Sequence, residues 1–307
     1  MPRIHAAGRA PHNADHGHPT HRRHFKCVAS IFLACLVFFC ALPRLSQAAM
    51  PVRAAILVNM DTGAVLYSKN PDMAIPPASL TKVMSMYLAL DQIKAKKIKL
   101  GEKIKITPQV ASVGGSSMHL RAGERVPLSQ LLTGMAVVSG NDAATAVARR
   151  TGGNERQFVR AMNQKAKAVG MKRTTFKNPT GLPAAGQKTT ARDMALMTRA
   201  YLRAHPSALR YHNVTLFTYR DRKTRNTNAL LGQVPGVNGL KTGWTVASGY
   251  NLIVTGQRGK TRMLAVVMGG TSRVGRDNAA RRLIEAGFRY PTSPKKIQNM
   301  FSGRKKR

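Results

Sequence analysis

Beyond residue 48 the chain contains no cysteine, because its three cysteines are Cys27, Cys35 and Cys40. That absence excludes a cysteine nucleophile, a thiolate zinc site and a disulfide framework from everything downstream, which must be held by its core. Acidic side chains are also scarce. In 307 residues 12 Asp+Glu stand against 50 Lys+Arg, a formal net charge of +38. Such an excess cannot be neutralised internally and produces a strongly positive surface. Histidine is sparse too: after residue 48 only His119, His205 and His212 occur, none in a context that suggests a Ser-His-Asp hydrolase.

The first residues read as a leader. Residues 1–24 are polar, with Arg3, Arg9, Arg22, Arg23 and six histidines, and residues 25–42 are mostly apolar. Ser46-Gln47-Ala48 then puts small residues at the two positions a signal peptidase reads. Basic, apolar, small is the order of a secretory signal peptide, with cleavage expected after Ala48. A retained membrane anchor is the alternative, since the apolar run is long for a signal core. The histidines precede the cleavage point and bring no matching acidic ligands, so no metal site is expected from them. Removing six Lys/Arg and one Asp with the leader leaves 44 basic and 11 acidic side chains, a charge of +33. Export and the scatter of these charges argue against nucleic acid as the partner. They fit an anionic cell envelope, with its peptidoglycan carboxylates and phosphate-bearing lipids or polymers; an alkaline composition without a specific partner is the alternative.

The organisation after the leader is mixed. Residues 53–59 and 64–68 predict two strands joined at the tight turn Asp61-Thr62-Gly63. Helical spacing of apolar residues predicts helices over 79–90, 128–138, 143–150, 158–169, 190–201 and about 274–287. Residues 239–245, 249–255 and 262–268 predict three strands, the last two joined at Gln257-Arg258-Gly259. This order is not a strict βαβ alternation, so the expectation is α+β, an antiparallel sheet with helices packed on it. No internal repeat is present.

Within that frame three strings follow one another: Ser79-Leu80-Thr81-Lys82, Ser139-Gly140-Asn141 and Lys241-Thr242-Gly243. Singly, each reads as a helix turn or a strand end. Together and in order they bring hydroxyls, amines and an amide suited to acyl transfer. A lysine three residues after a serine on a helix shares its face. If buried near other cations it loses its proton and serves as a base toward that serine. Pro76-Pro77-Ala78 is suited to begin the helix, placing Ser79 in a first turn whose free N–H groups favour negative charge. Ser139 and Asn141 are expected on a loop between two helices.

On these strings the chain resembles a low-molecular-mass penicillin-binding protein, a serine-type D-alanyl-D-alanine carboxypeptidase. The likeness extends to Gly181-Leu182 with residues 189–194, to Trp244-Thr245 with residues 249–252, and to residues 267–270 with Gly287-Phe288, so it spans about 50 to 290. It implies a β-lactamase/transpeptidase-like fold with a helical subdomain, a signal peptide over 1–48, a catalytic domain over 49–290 and a basic tail over 291–307. It implies that Ser79 attacks the carbonyl between two terminal D-alanines of a peptidoglycan stem peptide, with Lys82 as general base. Ser139 would relay a proton to the leaving amine, and Asn141 would hold the substrate amide or Lys82. Lys241 and Thr242 would meet the terminal carboxylate, and the backbone N–H groups of Ser79 and Trp244 would form an oxyanion hole. β-Lactams would be covalent inhibitors. No metal and no organic cofactor is called for. The location implied is the periplasm or the outer face of the cytoplasmic membrane.

The chain departs from the family's pattern in two places. Where members often carry His-Asn-Arg-Asn before Leu-Leu, the string is Asn226-Thr227-Asn228-Ala229-Leu230-Leu231, so an arginine that assists carboxylate binding is absent or moved to Arg225. Arg276 is a second candidate anion contact. The further β domain and amphipathic helix of many members have no counterpart in residues 291–307, which read as a solvated tail without an apolar face. Three alternatives bear on function. A β-lactamase needs a deacylating glutamate, but the carboxylates between Asn141 and Lys241 are Asp142, Glu155, Asp193 and Asp221, none in a Glu-x-x-Leu-Asn setting. A D-Ala-D-Ala endopeptidase would use the same residues. A non-enzymatic envelope-binding protein on an inactive fold is disfavoured by the presence of Ser79, Lys82 and Lys241.

Overall fold

Strand β1 (Ala54–Asn59) is buried at all six positions, which only a strand covered on both faces can be. Ala54, Ile56 and Val58 enter one apolar core and Ala55 and Leu57 a second, as the period of two requires. The computed structural model describes residues 50–302. The expected signal peptide, the three cysteines, the six early histidines and residues 303–307 lie outside the described residues.

Strand β2 (Val65–Lys69) pairs with β1 across a turn in which the Asn59 side chain accepts from Asp61 N (3.0 Å) and Thr62 N (3.2 Å). Strands β3 (Lys103–Lys105) and β4 (Arg125–Pro127) form one small hairpin, and β5 (Leu216–Tyr219) and β6 (Arg222–Arg225) another. Strands β7 (Val237–Thr245), β8 (Gly249–Arg258) and β9 (Thr261–Gly270) complete a five-stranded antiparallel sheet of order β2-β1-β9-β8-β7. The two small hairpins escape sequence reading because their strands are only three or four residues long, and all four residues of β6 are exposed.

Among the described residues seven longer helices accompany the sheet: α1 (Thr81–Lys94), α2 (Leu128–Val137), α3 (Asn141–Gly152), α4 (Glu155–Ala168), α5 (Ala191–Ala204), α6 (Arg273–Arg289) and α7 (Pro294–Phe301). Asn154, Thr190 and Ser272 cap α4, α5 and α6 by accepting a backbone N–H three residues on. Helix α1 is buried from Thr81 to Leu90 because α2, α3, α4 and α5 surround it, forming the helical part on one face of the sheet. Helix α6 covers the other face through Ala280, Leu283 and Ile284.

The carboxy-terminal stretch corrects an expectation. Residues 294–301 are a helix docked on β2, with Phe301 under Arg282 of α6, rather than a solvated tail. Ile297 is fully buried, and the Phe301 ring lies 4.9 Å from that of Tyr67, with the Arg282 guanidinium over it at 5.0 Å from its centroid. Ile297, Met300 and Phe301 supply the apolar face at helical spacing, with Pro294 in the first turn. Ile297→Ala is therefore expected to cost about 2–4 kcal/mol in urea unfolding. An unchanged midpoint would mean that the helix adds nothing to the fold.

Candidate active site

The chain reaches Ser79 through a strained turn. Ala78 has φ 48° and is buried, and residues 78–80 form a single 3-10 turn that leads into α1. Two glycines let other backbones approach it. A Cβ on Gly181 (φ +86°) would lie 1.8 Å from Ala78 O, and one on Gly243 of β7 would lie 3.0 Å from Ser79 N. The third motif thus needs its glycine so that β7 can pass against the serine turn.

Lys82 is fully buried, and its amine makes three contacts: Ser79 Oγ at 2.9 Å, Asn141 Oδ1 at 2.7 Å and Thr180 O at 2.7 Å. The Asn141 amide cannot be turned round, because its Nδ2 donates to Gly114 O at 2.7 Å. Two of the three partners are therefore acceptors only. A neutral amine has two N–H groups and one lone pair, so those acceptors take both N–H groups and the lone pair faces Ser79, whose hydroxyl then donates to it. That is the geometry of a base. Burial holds the Lys82 amine well below the usual lysine range, with the neighbouring Lys241 adding to the effect and Asp142 opposing it.

Lys241 is likewise buried, its amine donating to Thr242 O at 3.0 Å. Burial, reinforced by Arg276, lowers its pKa to about 7. Thr242 Oγ1 donates to Thr227 Oγ1 at 2.7 Å. Arg276 is 3% exposed, with Nε donating to Asp277 Oδ1 at 2.8 Å and Nη2 paired with the same oxygen at 2.8 Å.

Ser79, Ser139, Thr242, Trp244 and Arg276 line one cleft of about 360 Å³, with Lys82, Asn141 and Lys241 buried beside it. Ser139 has φ 62°, and Asn141 is the first residue of α3 rather than a loop residue. Trp244 is 53% exposed at the rim, 5.8 Å from the Tyr250 ring. Arg225 is not in this cleft; it lines a separate cavity, so the arginine shift considered from the sequence does not occur.

Sequence reasoning missed several contributors. Ser116, Thr227, Tyr250 and Arg273 line the cleft as well, and only the approach of distant segments reveals them. Thr180 acts through its carbonyl, which no side-chain motif can encode; Asn178 Oδ1 fixes that turn by accepting from Thr180 N (3.2 Å) and Gly181 N (2.7 Å). Asp142, noted in the sequence only as a carboxylate, is buried and accepts from Ser117 Oγ (2.6 Å), Met118 N (3.0 Å) and Leu120 N (3.1 Å), fastening residues 117–120 beside the second motif. The histidines stand apart. His205 pairs with Asp91 at 2.7 Å, and His212 is buried between Tyr201 OH and Leu240 O, where burial lowers its pKa to about 3.

The family profile described as D-alanyl-D-alanine carboxypeptidase matches residues 43–272. The chain belongs to the D-alanyl-D-alanine carboxypeptidase family. The D-alanyl-D-alanine carboxypeptidase DacF of Bacillus subtilis (strain 168) is 38% identical over 263 residues, covering 82% of this chain and 66% of its own. Among solved structures of the same fold, the D-alanyl-D-alanine carboxypeptidase DacD from Francisella tularensis superposes with a TM-score of 0.76 at 33% identity, over 80% of this chain and 72% of that one. Penicillin-binding protein D2 from Listeria monocytogenes in its ampicillin-bound form gives 0.72 at 30% identity, over 78% and 98%. The chain spans 64–67% of the length of the first curated carboxypeptidase relatives it matches.

The buried lysines make folding pH-dependent in a defined direction. Between about pH 7 and the ordinary lysine pKa, the unfolded chain holds a proton at Lys241 that the folded chain does not, so stability rises with pH across that window. Relative to Lys241→Met, the wild type is expected to gain up to about 1.4 kcal/mol per pH unit between pH 7 and 9 in denaturant titrations. A pH-independent difference would show that Lys241 keeps its proton in the fold.

Proposed function

We propose that this protein is a serine D-alanyl-D-alanine carboxypeptidase that removes the terminal D-alanine from peptidoglycan stem pentapeptides. The observation that carries the reading is the buried Lys82 amine, 2.9 Å from Ser79 Oγ and 2.7 Å from each of two groups that can only accept, Asn141 Oδ1 and Thr180 O.

The chemistry follows from that geometry. Strand β7 is an edge of the five-stranded sheet and passes Ser79 at Gly243, so an extended peptide can add along it. The terminal carboxylate meets Thr242, Arg276 and the Lys241 charge. Lys82 takes the Ser79 proton as Oγ attacks the D-Ala carbonyl, and the N–H groups of Ser79 and Trp244 receive the developing oxyanion, worth a few kcal/mol of barrier. Ser139 passes a proton to the leaving amine, D-alanine departs, and water hydrolyses the ester to restore the Ser79 hydroxyl. A β-lactam enters the same acylation. Among the described residues no carboxylate lines the cleft to speed its release as a lactamase's deacylating glutamate does.

The rest of the chain fits this role: residues 1–48 as a cleaved leader, 49–290 as the catalytic domain and a basic surface for an anionic envelope, at the periplasm or the outer face of the cytoplasmic membrane. Among the described residues no helix is long and apolar enough to cross a membrane.

Ser79→Ala is expected to lose both D-alanine release from a peptide ending in D-Ala-D-Ala and covalent labelling by fluorescent penicillin, with an unchanged melting temperature. Lys82→Ala should lower acylation by about 10³-fold or more, since the pair acts as a unit. Labelling that survives in Ser79→Ala would assign the nucleophile elsewhere.

A further inference from the structure

The separate cavity that Arg225 lines has a volume of about 440 Å³ and shares no lining residue with the catalytic cleft. Two pairs of chain neighbours divide them. Thr227 lines the cleft and Asn228 the cavity; Arg276 lines the cleft and Asp277 the cavity. This partition is fixed by hydrogen bonds. Asn226 Nδ2 donates to Val214 O at 2.8 Å, Asn228 Nδ2 donates to Gly239 O at 2.9 Å, and Thr227 Oγ1 accepts from Thr242 Oγ1 at 2.7 Å. Asp277 Oδ1 meets both Nε and Nη2 of Arg276 at 2.8 Å.

On so basic a chain, arginines beside a cavity mean little by themselves. What distinguishes these is that their counter-charge is already engaged. Elsewhere arginines sit with carboxylates, as Arg149 does with Glu155, Arg192 with Asp72 and Arg262 with Asp61. Among the described residues Asp277 is the only carboxylate lining this cavity, and Arg276 holds its Oδ1. Arg225 from β6 and Arg281 from α6 thus bring two guanidiniums to one cavity, and neither is paired with a carboxylate among the described residues. Gln233 and Asn278 add amide donors. A carboxylate is met by a single planar fork. A phosphate carries close to two charges and tetrahedral oxygens, which two forks from different elements can share. The cavity is roomier than that anion, and Ala229 and Val274 offer apolar contact to carbons attached to it.

We propose that this cavity binds a phosphate group, free or as an ester, between Arg225 and Arg281, and that its occupancy weakens substrate binding in the cleft through Asp277 and Arg276. The coupling is electrostatic. A phosphate beside Asp277 offsets part of the positive field that Arg276 offers to the terminal carboxylate of the substrate. Arg281 already acts on Asp277 across this space: burial raises the Asp277 carboxyl, while Arg276, Arg273 and Arg281 pull it down. Neither Ser79 nor Lys82 lines the cavity, so substrate binding changes and acylation does not. The site stands on the cavity alone; its effect on activity rests on the proposed carboxypeptidase reading.

Two readouts at constant ionic strength test this: calorimetric titration with glycerol 3-phosphate, and D-alanine release from a pentapeptide in its presence. The wild type is expected to bind one equivalent, and Arg225→Ala/Arg281→Ala to bind about tenfold or more weakly with an unchanged melting temperature. Arg156→Ala/Arg160→Ala, which removes two exposed cations from α4, should bind as the wild type does. Saturating glycerol 3-phosphate should raise the wild-type KM about fivefold to a plateau and leave kcat within twofold. The Arg225/Arg281 variant should keep its basal KM within twofold and lose this response. Inorganic phosphate is the second probe: weaker binding than glycerol 3-phosphate assigns the site to an ester, and equal binding to the free ion. No binding to the wild type, or equal binding to the Arg225/Arg281 variant, overturns the site. A KM that climbs without a plateau in both proteins places the phosphate in the catalytic cleft and overturns it too. Binding without any D-alanine release by the wild type instead overturns the carboxypeptidase reading and leaves the site standing.

Discussion

A lysine amine buried in a protein interior has no water to solvate its charge, and the structure around Lys82 is organised to supply partners for it. Asn141 arrives on α3, Thr180 on a turn tied by Asn178, and Ser79 on the 3-10 turn before α1. Each of these comes from a different part of the chain, so the contact network closes only when the whole helical part has packed. The same burial that makes the charge costly makes the neutral amine available as a base. Stability and chemistry are therefore opposite faces of one desolvation.

The second cation sharpens this. Lys241 approaches from the sheet and Lys82 from the central helix, and Lys241 disfavours the proton on Lys82. Arg276, which cannot shed its charge, does the same to Lys241 and is itself steadied by Asp277. The cleft is thus a gradient: a permanent cation at one end, a lysine that titrates near neutrality, and beside the nucleophile a lysine whose proton burial disfavours. An anionic substrate terminus is attracted to the first two without disabling the third.

Position at this scale requires rigid supports. The sheet has an apolar core on each face, and α6 and α7 close the side away from the catalytic helices. Glycines at 181 and 243 then allow three backbones to meet at Ser79 more closely than side chains would permit.

What was legible in the sequence was whatever has a local period or a local chemistry. Alternating and helical apolar spacing marked the five strands of the sheet and the helices through α6, and Ser79, Lys82, Ser139, Asn141, Lys241 and Thr242 were readable because short motifs place them on the same turn or strand end. The tertiary structure decided what depends on distant segments meeting. It made Thr180 a partner through a carbonyl that any residue possesses, turned Asp142 into an anchor, brought Thr227 and Arg273 to the cleft and left Arg225 outside it. It also docked residues 294–301, whose single turn of apolar residues is too brief to announce a helix until Tyr67 and Arg282 stand beside it. Periodicity reports which face of an element is apolar, but only the packed chain determines what that face, and each exposed carbonyl, will meet.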